Sequence, residues 1–285
     1  KGIMKFTYLG TGAAEGVPAM FCSCDTCREV RRRGECEFHT RSQLLIDGEL
    51  CIDFPPDAYA HSLKFGVDLS AVKYLLITHS HMDHFYAHDF VLRGYKYAEK
   101  LSEPLFIFGN GEVARVFAEC TRREMRADVR ANIQLREVLP FVPFSFGRYT
   151  AVALKARHSK AEAAYVYLLE KSGRYYLHLT DTGRLPAETL DFLETYMKAR
   201  GAAVDLVTFD CTFLFYEAGS ESRHMGLPDD EAMKKEFLRR GIADGNTMYV
   251  ITHYSHNNAP LSETLERAER EYGFTAARDG LEIEI

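Results

Sequence analysis

The sequence predicts an α/β chain of two mixed β-sheets lying face to face with helices outside. Three observations carry this. Apolar strand patterns alternate with helical ones along most of the 285 residues, tight two-residue hairpins break that alternation twice, and the second half repeats the first in outline. A doubly wound parallel sheet leaves no room for the hairpins. Without a low-complexity tract, long linker or short-period repeat, residues 1–285 read as one domain.

The elements follow in order. "KFTYLGTG" begins as a strand and ends in a glycine-rich loop, and "SQLLIDGELCIDF" holds two short strands around Asp47-Gly48, a favoured hairpin turn. "VKYLLITHS" reads as a buried strand, "FVLRGYKYAEK" as helical, "PLFIFG" as a strand, and the stretch from about Gly111 to Val129 as a helix. "IQLREV", "FSFGRYTAVALKA" and the pair "AAYVYLLE"/"RYYLHLTD" across Ser172-Gly173 form a second antiparallel run. Helices then alternate with strands: "PAETLDFLETYMKAR", "VDLVTFDCTF", "PDDEAMKKEFLRR", "TMYVITHYSH", "LSETLERAEREYG" and a last strand near "LEIEI".

Hydrophobic residues make up 46% of the chain, yet none of its apolar runs reaches the roughly 18 residues of a membrane span. The opening "KGIMKFTYLG" lacks a signal-peptide core, so a soluble, cytoplasmic protein is expected; Lys1 to Ile3 are left out of the functional argument. A net charge of −6 argues against nucleic acid or anionic membrane as partner and for a small substrate. Arg28, Arg31, Arg32 and Arg33 form a basic exception that reads better as a solvated helix face than as a phosphate site. Seven cysteines is an odd number, and three of them, Cys22, Cys24 and Cys27, are spaced for a metal rather than for disulfides. Cys36, Cys51, Cys120 and Cys211 read as small core or surface residues.

The densest signal is "THSHMDHF" at 78–85, where His79, His81, Asp83 and His84 follow an apolar strand. A strand that ends in a loop aims its last side chains at a sheet edge. Imidazole nitrogens and a carboxylate suit zinc, iron or manganese, and four ligands exceed the three that one catalytic metal usually takes from protein, so two metals are implied. Further ligands should sit at other strand ends. His158 in "ARHSK", Asp181 in "LTDTG", and His253 and His256 in "THYSH" are placed there; His178 lies mid-strand and reads as structural.

These motifs resemble the metallo-β-lactamase fold superfamily, an αββα sandwich of two similar halves with a dinuclear site between the sheet edges. Adding "LGTGAAEGVPAMFCSCDTC" and "RH" at 223–224, the chain is similar to the PhnP family of cyclic-phosphate phosphodiesterases from about Phe6 to the C-terminus. The resemblance implies His79, His81 and His158 on one metal, Asp83, His84 and His253 on the other, and Asp181 bridging. It implies a further structural zinc on Cys22, Cys24, Cys27 and His256, within an N-terminal loop at about 20–40. Asp53 falls where the superfamily has a buried carboxylate that orients a ligand histidine, with Asp57 as competing candidate. His224 falls on the proposed general acid.

The implied activity is hydrolysis of a small phosphate ester, a cyclic ribose phosphate being one candidate, by water activated between two divalent metals, manganese, zinc or iron. Asp83 and Asp181 take part as ligands, His224 protonates the leaving alkoxide, and Arg223 and Lys160 are candidate phosphate contacts. Alternatives are a PqqB-like cofactor-biosynthesis protein, a lactone or thioester hydrolase on the same fold and, less favoured, a tRNA-processing phosphodiesterase. A homodimer stays open. Three features depart from the pattern: Ala87 and His88 after the second metal motif, a long charged segment from about Tyr95 to Ala156, and "DFPPD" in place of a glycine-containing turn.

Overall fold

The computed structural model describes residues 2–101 and 103–285; Lys1 and Ser102 lie outside them. The first half contributes strands β1 (Lys5–Gly10), β2 (Gln43–Ile46), β3 (Leu50–Ile52), β4 (Tyr74–Leu76), β5 (Leu105–Gly109) and β6 (Ile133–Glu137). The second contributes β7 (Pro143–Phe146), β8 (Tyr149–Lys155), β9 (Tyr165–Lys171), β10 (Arg174–Leu179), β11 (Leu206–Asp210), β12 (Met248–Thr252), β13 (Thr275–Ala276) and β14 (Leu281–Glu284). Helices are α1 (Asp25–Arg33), α2 (Ala58–Phe65), α3 (Gly111–Thr121), α4 (Ala127–Ala131), α5 (Ala187–Arg200), α6 (Leu227–Arg240) and α7 (Ser262–Tyr272).

Two seven-stranded sheets result, ordered β14-β1-β2-β3-β4-β5-β6 and β13-β12-β11-β10-β9-β8-β7. Both are mixed: hairpins pair antiparallel, while β3 to β6 and β10 to β13 run parallel. The expected sandwich is therefore the observed one. The last strand leaves the second half and closes the edge of the first sheet against β1.

Alternation along the strands explains the layering. Phe6, Ile46, Leu76, Tyr167, Leu169 and Tyr176 belong to the core between the sheets. Leu193, Phe209, Phe237 and Leu265 pack the second sheet against its helices, and Leu75, Ile107, Val113 and Phe117 do so for the first. Polar ties cross the interior as well. Thr208 Oγ1 lies 2.6 Å from Tyr8 Oη and 2.9 Å from Tyr176 Oη, and Tyr167 Oη donates to the Ile77 carbonyl at 2.7 Å, directly below "THSHMDH".

Both hairpins match the turn chemistry that predicts them. Asp47 and Gly48 have φ of 52° and 73°, Ser172 and Gly173 of 53° and 77°, the left-handed pair that a two-residue loop needs. The hairpins also meet across the sandwich, where Lys171 Nζ donates to Asp47 Oδ2 at 2.6 Å.

Two helix expectations fail. Residues 90–100 form no α-helix: a 3₁₀ segment spans Ala87–Leu92 and the chain breaks at Gly94, whose φ of 151° is incompatible with a helix. Nor is 111–129 continuous. It divides into α3 and α4 around 122–126, where Thr121 Oγ1 bonds back to the Phe117 carbonyl and competes with the helical ladder. The α2 helix, which carries no long apolar period, has no counterpart in the sequence reading.

Candidate metal centre

Strand ends assemble the site. β4 leads into His79, β10 into Asp181, β11 ends on Asp210 and β12 leads into His253, so adjacent strands of each sheet deliver their next residues to the same edge. The turns that follow are tight. Asp53, Asp181 and His253 hold left-handed backbone, with φ of 65°, 57° and 67°, a conformation that non-glycine residues keep only where surroundings enforce it.

Three overlapping sets of His/Asp ligand atoms converge, each within 4.8 Å of one another: His79, His81, His158 and Asp181; Asp83, His84, Asp181 and His253; and, at the rim, Asp181, Asp210, His224 and His253. Asp181 belongs to all three. Its Oδ2 lies 3.3 Å from His79 Nε2 and 3.0 Å from His84 Nε2, while Oδ1 lies 3.0 Å from His158 Nδ1.

Hydrogen bonds behind the rings set their tautomers. Thr78 Oγ1 gives its proton to Asp53, so His79 Nδ1, 3.0 Å away, must donate to Thr78. Asp53 Oδ2 also accepts from His84 Nδ1 at 2.6 Å, and Thr212 Oγ1, which donates to the His253 carbonyl, accepts from His253 Nδ1 at 2.9 Å. All three rings therefore turn an unprotonated Nε2 toward the site. Asp57, the competing candidate, instead pairs with Arg41 at 2.8 Å.

The residues fit metal ions. His84 Nε2, His253 Nε2, His158 Nδ1 and Asp181 Oδ1 are buried without a hydrogen-bond partner, and His79 Nε2 sits 2.9 Å from His81 Nδ1. Buried ring nitrogens and a carboxylate oxygen left without a partner are what a cation would satisfy. The surrounding carboxylates favour positive charge at this point: burial lowers the pKa of His84, but Asp83 and Asp53 outweigh it and push it well above the ordinary value, a proton that a bound metal would replace, while Asp181, despite burial, is held well below by the histidines around it.

His224 stands at the rim. Its Nδ1 is 3.1 Å from Asp210 Oδ2, 3.2 Å from Asp181 Oδ1 and 3.3 Å from Thr212 Oγ1. Burial alone would strip its proton, yet the Asp210 carboxylate, with Asp181, raises the pKa to about 9. Sequence reading missed Asp210, although it ends a parallel strand just as Asp53 and Asp181 follow one. It also missed Glu162, which accepts from Ser80 N and Oγ and from Asn110 Nδ2, tying the "THSHMDH" loop to the loop after His158. His88 is exposed beside Tyr86 and joins neither ligand set, and His178 is buried mid-strand against Tyr176 Oη.

A separate set lies on the N-terminal loop, where Cys22, Cys24, Cys27 and His256 bring their ligand atoms within 4.8 Å. His256 Nδ1 is 3.5 Å from Cys24 Sγ and 3.4 Å from Cys27 Sγ. The Cys27 backbone N–H, and then His256, lower the Cys24 pKa to about 6, while burial pushes the neighbouring Cys27 thiol up to about 11, so the set concentrates its thiolate character on Cys24. A Cys₃His set suits zinc in a closed tetrahedron. The neighbouring arginines serve the fold: Arg31 donates to the Cys22 and Ala19 carbonyls, and Arg28, Arg32 and Arg33 are ion-paired with acidic neighbours.

A pocket of about 380 Å³ opens above the His/Asp set, bounded by His81, His158, His224 and Phe213 and reaching Glu15 and Asn257. A larger apolar cavity of about 610 Å³, between Phe54, Tyr59, Leu75 and Phe90, includes none of the ligand residues. None of the helices among the described residues is long and apolar enough to cross a membrane.

Residues 50–254 match the beta-lactamase superfamily domain. In structure the chain is similar to a diphosphatase from the PhnP family, with a TM-score of 0.70 and 20% identity over 99% of this chain and 98% of that one. It is also similar to zinc-bound PqqB from Methylobacterium extorquens, with a TM-score of 0.73 and 18% identity over 99% and 100%. A sequence relative is an octanoyltransferase of Porphyromonas gingivalis, 27% identical over 277 residues; the match takes in 91% of this chain but 47% of the relative, so the chain spans about half its length.

Proposed function

The chain belongs to the beta-lactamase superfamily, and from that premise we propose that it is a metal-dependent phosphodiesterase acting on a small phosphate ester, a cyclic ribose phosphate being one candidate. The observation that carries the reading is His224, its Nδ1 held 3.1 Å from Asp210 Oδ2 at the rim of a His/Asp centre suited to two divalent cations. Such cations would be manganese, zinc or iron, and they supply charge neutralisation at a phosphoryl group and a water of lowered pKa.

The chain's own residues do the rest. Asp53, Thr78 and Thr212 fix the ring orientations of His84, His79 and His253, so that the ligand nitrogens need no reorganisation. Asp210 keeps a proton on His224, which lines the pocket and can pass it to the departing alkoxide. Lys160 and Arg223, both exposed and close in sequence to His158 and His224, lie outside the pocket lining, and are candidate contacts for phosphate oxygens that project from it. A separate structural zinc on Cys22, Cys24, Cys27 and His256 would pin the loop that also carries His253. The likeness to a PhnP-family diphosphatase supports phosphate chemistry, and the net charge of −6 supports a small substrate over nucleic acid or membrane.

A second reading, thioester or ester hydrolysis, draws on the octanoyltransferase relative. One experiment separates the two. Protein stripped of metal and refilled with manganese or zinc is offered an aryl phosphodiester, its monoester and an acyl thioester. Metal-restored cleavage of the diester alone is expected. Thioester cleavage without diester cleavage, at full metal occupancy, would transfer the proposal to acyl chemistry.

A further inference from the structure

The lining of the pocket above the centre combines two chemically different groups, the metal-ligand residues with His224, and Glu15, Ser255 and Asn257. Glu15 projects from the tight turn that follows β1, where Gly16 N bonds the Ala13 carbonyl at 2.9 Å. Its Oε1 accepts from Ser255 Oγ at 2.6 Å and lies 3.9 Å from His256 Nε2. Oε2 has no hydrogen-bond partner among the described residues. Asn257 Nδ2 donates to the same Ser255 oxygen at 3.2 Å, which leaves its carbonyl oxygen uncommitted.

The second group therefore offers acceptors, one of them a carboxylate, and among the described residues no lysine or arginine borders the pocket. Acceptors of this kind reward hydroxyl or amine donors and oppose a second anion. We propose that Glu15 determines specificity, selecting phosphodiesters whose distal arm is uncharged and hydroxyl-bearing and rejecting those whose arm carries a further phosphate. The proposal rests on the phosphodiesterase reading. Glu15 acts at the far end of the substrate, away from the scissile bond, and its effect is a difference between substrates.

The test compares two substrates with one leaving group: the p-nitrophenyl ester of thymidine 5′-monophosphate, and the same ester bearing a 3′-phosphate. Metal-loaded full-length protein should favour the 3′-hydroxyl ester by about tenfold in kcat/KM, a size expected of one unit charge acting across a solvent-lined pocket. In Glu15→Gln the preference should shrink to within about threefold, chiefly through KM of the phosphorylated ester, with metal content unchanged. An unchanged preference at unchanged metal content overturns the proposal. Equal loss on both esters together with one lost zinc also overturns it, and makes Glu15 a support for His256 instead. Cleavage of neither ester by the metal-loaded parent protein sinks the phosphodiesterase reading itself, and this proposal with it.

Discussion

His253 and His256 are three residues apart, yet they serve ligand sets of opposite build. Around His253 the ligands leave the ends of strands in both sheets, and His79, Asp83, His84 and Asp181 are all buried. Around His256 they come from a loop and the first turn of α1, with Cys24 exposed. Hydrogen bonds from Asp53, Thr78 and Thr212 organise the first set; the loop of the second is tied mainly by Arg31 and by the sulfur atoms themselves. The difference teaches where each set gets its shape. The sheet edges impose it on the His/Asp set, whereas an ion held by the cysteines and His256 would close the loop of the second.

Asp181→Asn should break the comparison hardest, since one carboxylate is shared by both ligand groups. Turnover is expected to fall by about a thousandfold or more, with active-site metal lost by elemental analysis and the melting temperature little changed. A large drop in melting temperature would mean that the strand ends need their metals as much as the loop does.

His224→Ala tests the rim. Both active-site metals should remain while turnover of esters with poor leaving groups falls about 10²–10³-fold, less for good ones. Metal loss in parallel would make His224 a ligand. Asp210→Asn should cost less, about tenfold, because the ring keeps its place beside Thr212 and Asp181 and loses its strongest proton-holding partner.

Cys24→Ser addresses the other set. One zinc per chain should disappear and the melting temperature should fall by about 5 °C, with turnover changed by less than about tenfold. Unchanged zinc stoichiometry would remove the Cys₃His assignment.

The smallest effect concerns acid. Two buried histidines stand behind the cysteine loop: His39, between Thr11 Oγ1 and the Pro260 carbonyl, and His61, between Thr40 Oγ1 and Gln43 Oε1. Burial lowers both pKa values to about 4. Folded pKa values below the unfolded ones mean that stability is complete above about pH 6.5 and is lost as pH falls toward 4. Asp279, linked to both through Thr11 and Thr40, works the other way, because burial raises it to about 6 and protonation then favours the fold. Two losses against one gain leave a net loss of stability across that window. His39→Gln should flatten the fall of melting temperature between pH 6.5 and 4.5; an unaltered slope would place the acid sensitivity at the metal ligands.

Much of this was legible in the residues. "HSHMDH" after an apolar run announces itself because few other roles explain so many ligands in six positions, and "CSCDTC" does the same for sulfur. Asp47-Gly48 and Ser172-Gly173 marked their hairpins through backbone conformations that few residue pairs accept. Asp210 and Glu162 were not legible. Each is a lone carboxylate whose neighbours in sequence are apolar or small, and nothing local distinguishes it from an ordinary surface acid. Helix extents at 90–100 and 111–129 failed for a related reason, since periodicity reports which face is apolar and not where Gly94 or the Thr121 hydroxyl will interrupt the ladder.

Sequence by itself therefore determined the kind of fold and the ligand chemistry, both of which depend on local pattern: period, turn type and the clustering of metal-binding side chains. Only tertiary structure decided that Asp210 supports His224 across 14 positions, that Glu162 ties the loop after His158 to Ser80 across 82, and that Glu15 meets Ser255 across 240. Those pairings arise where strand ends from distant parts of the chain reach one edge of the sandwich. Their separation along the chain carries no periodic signal, so packing alone brings them together.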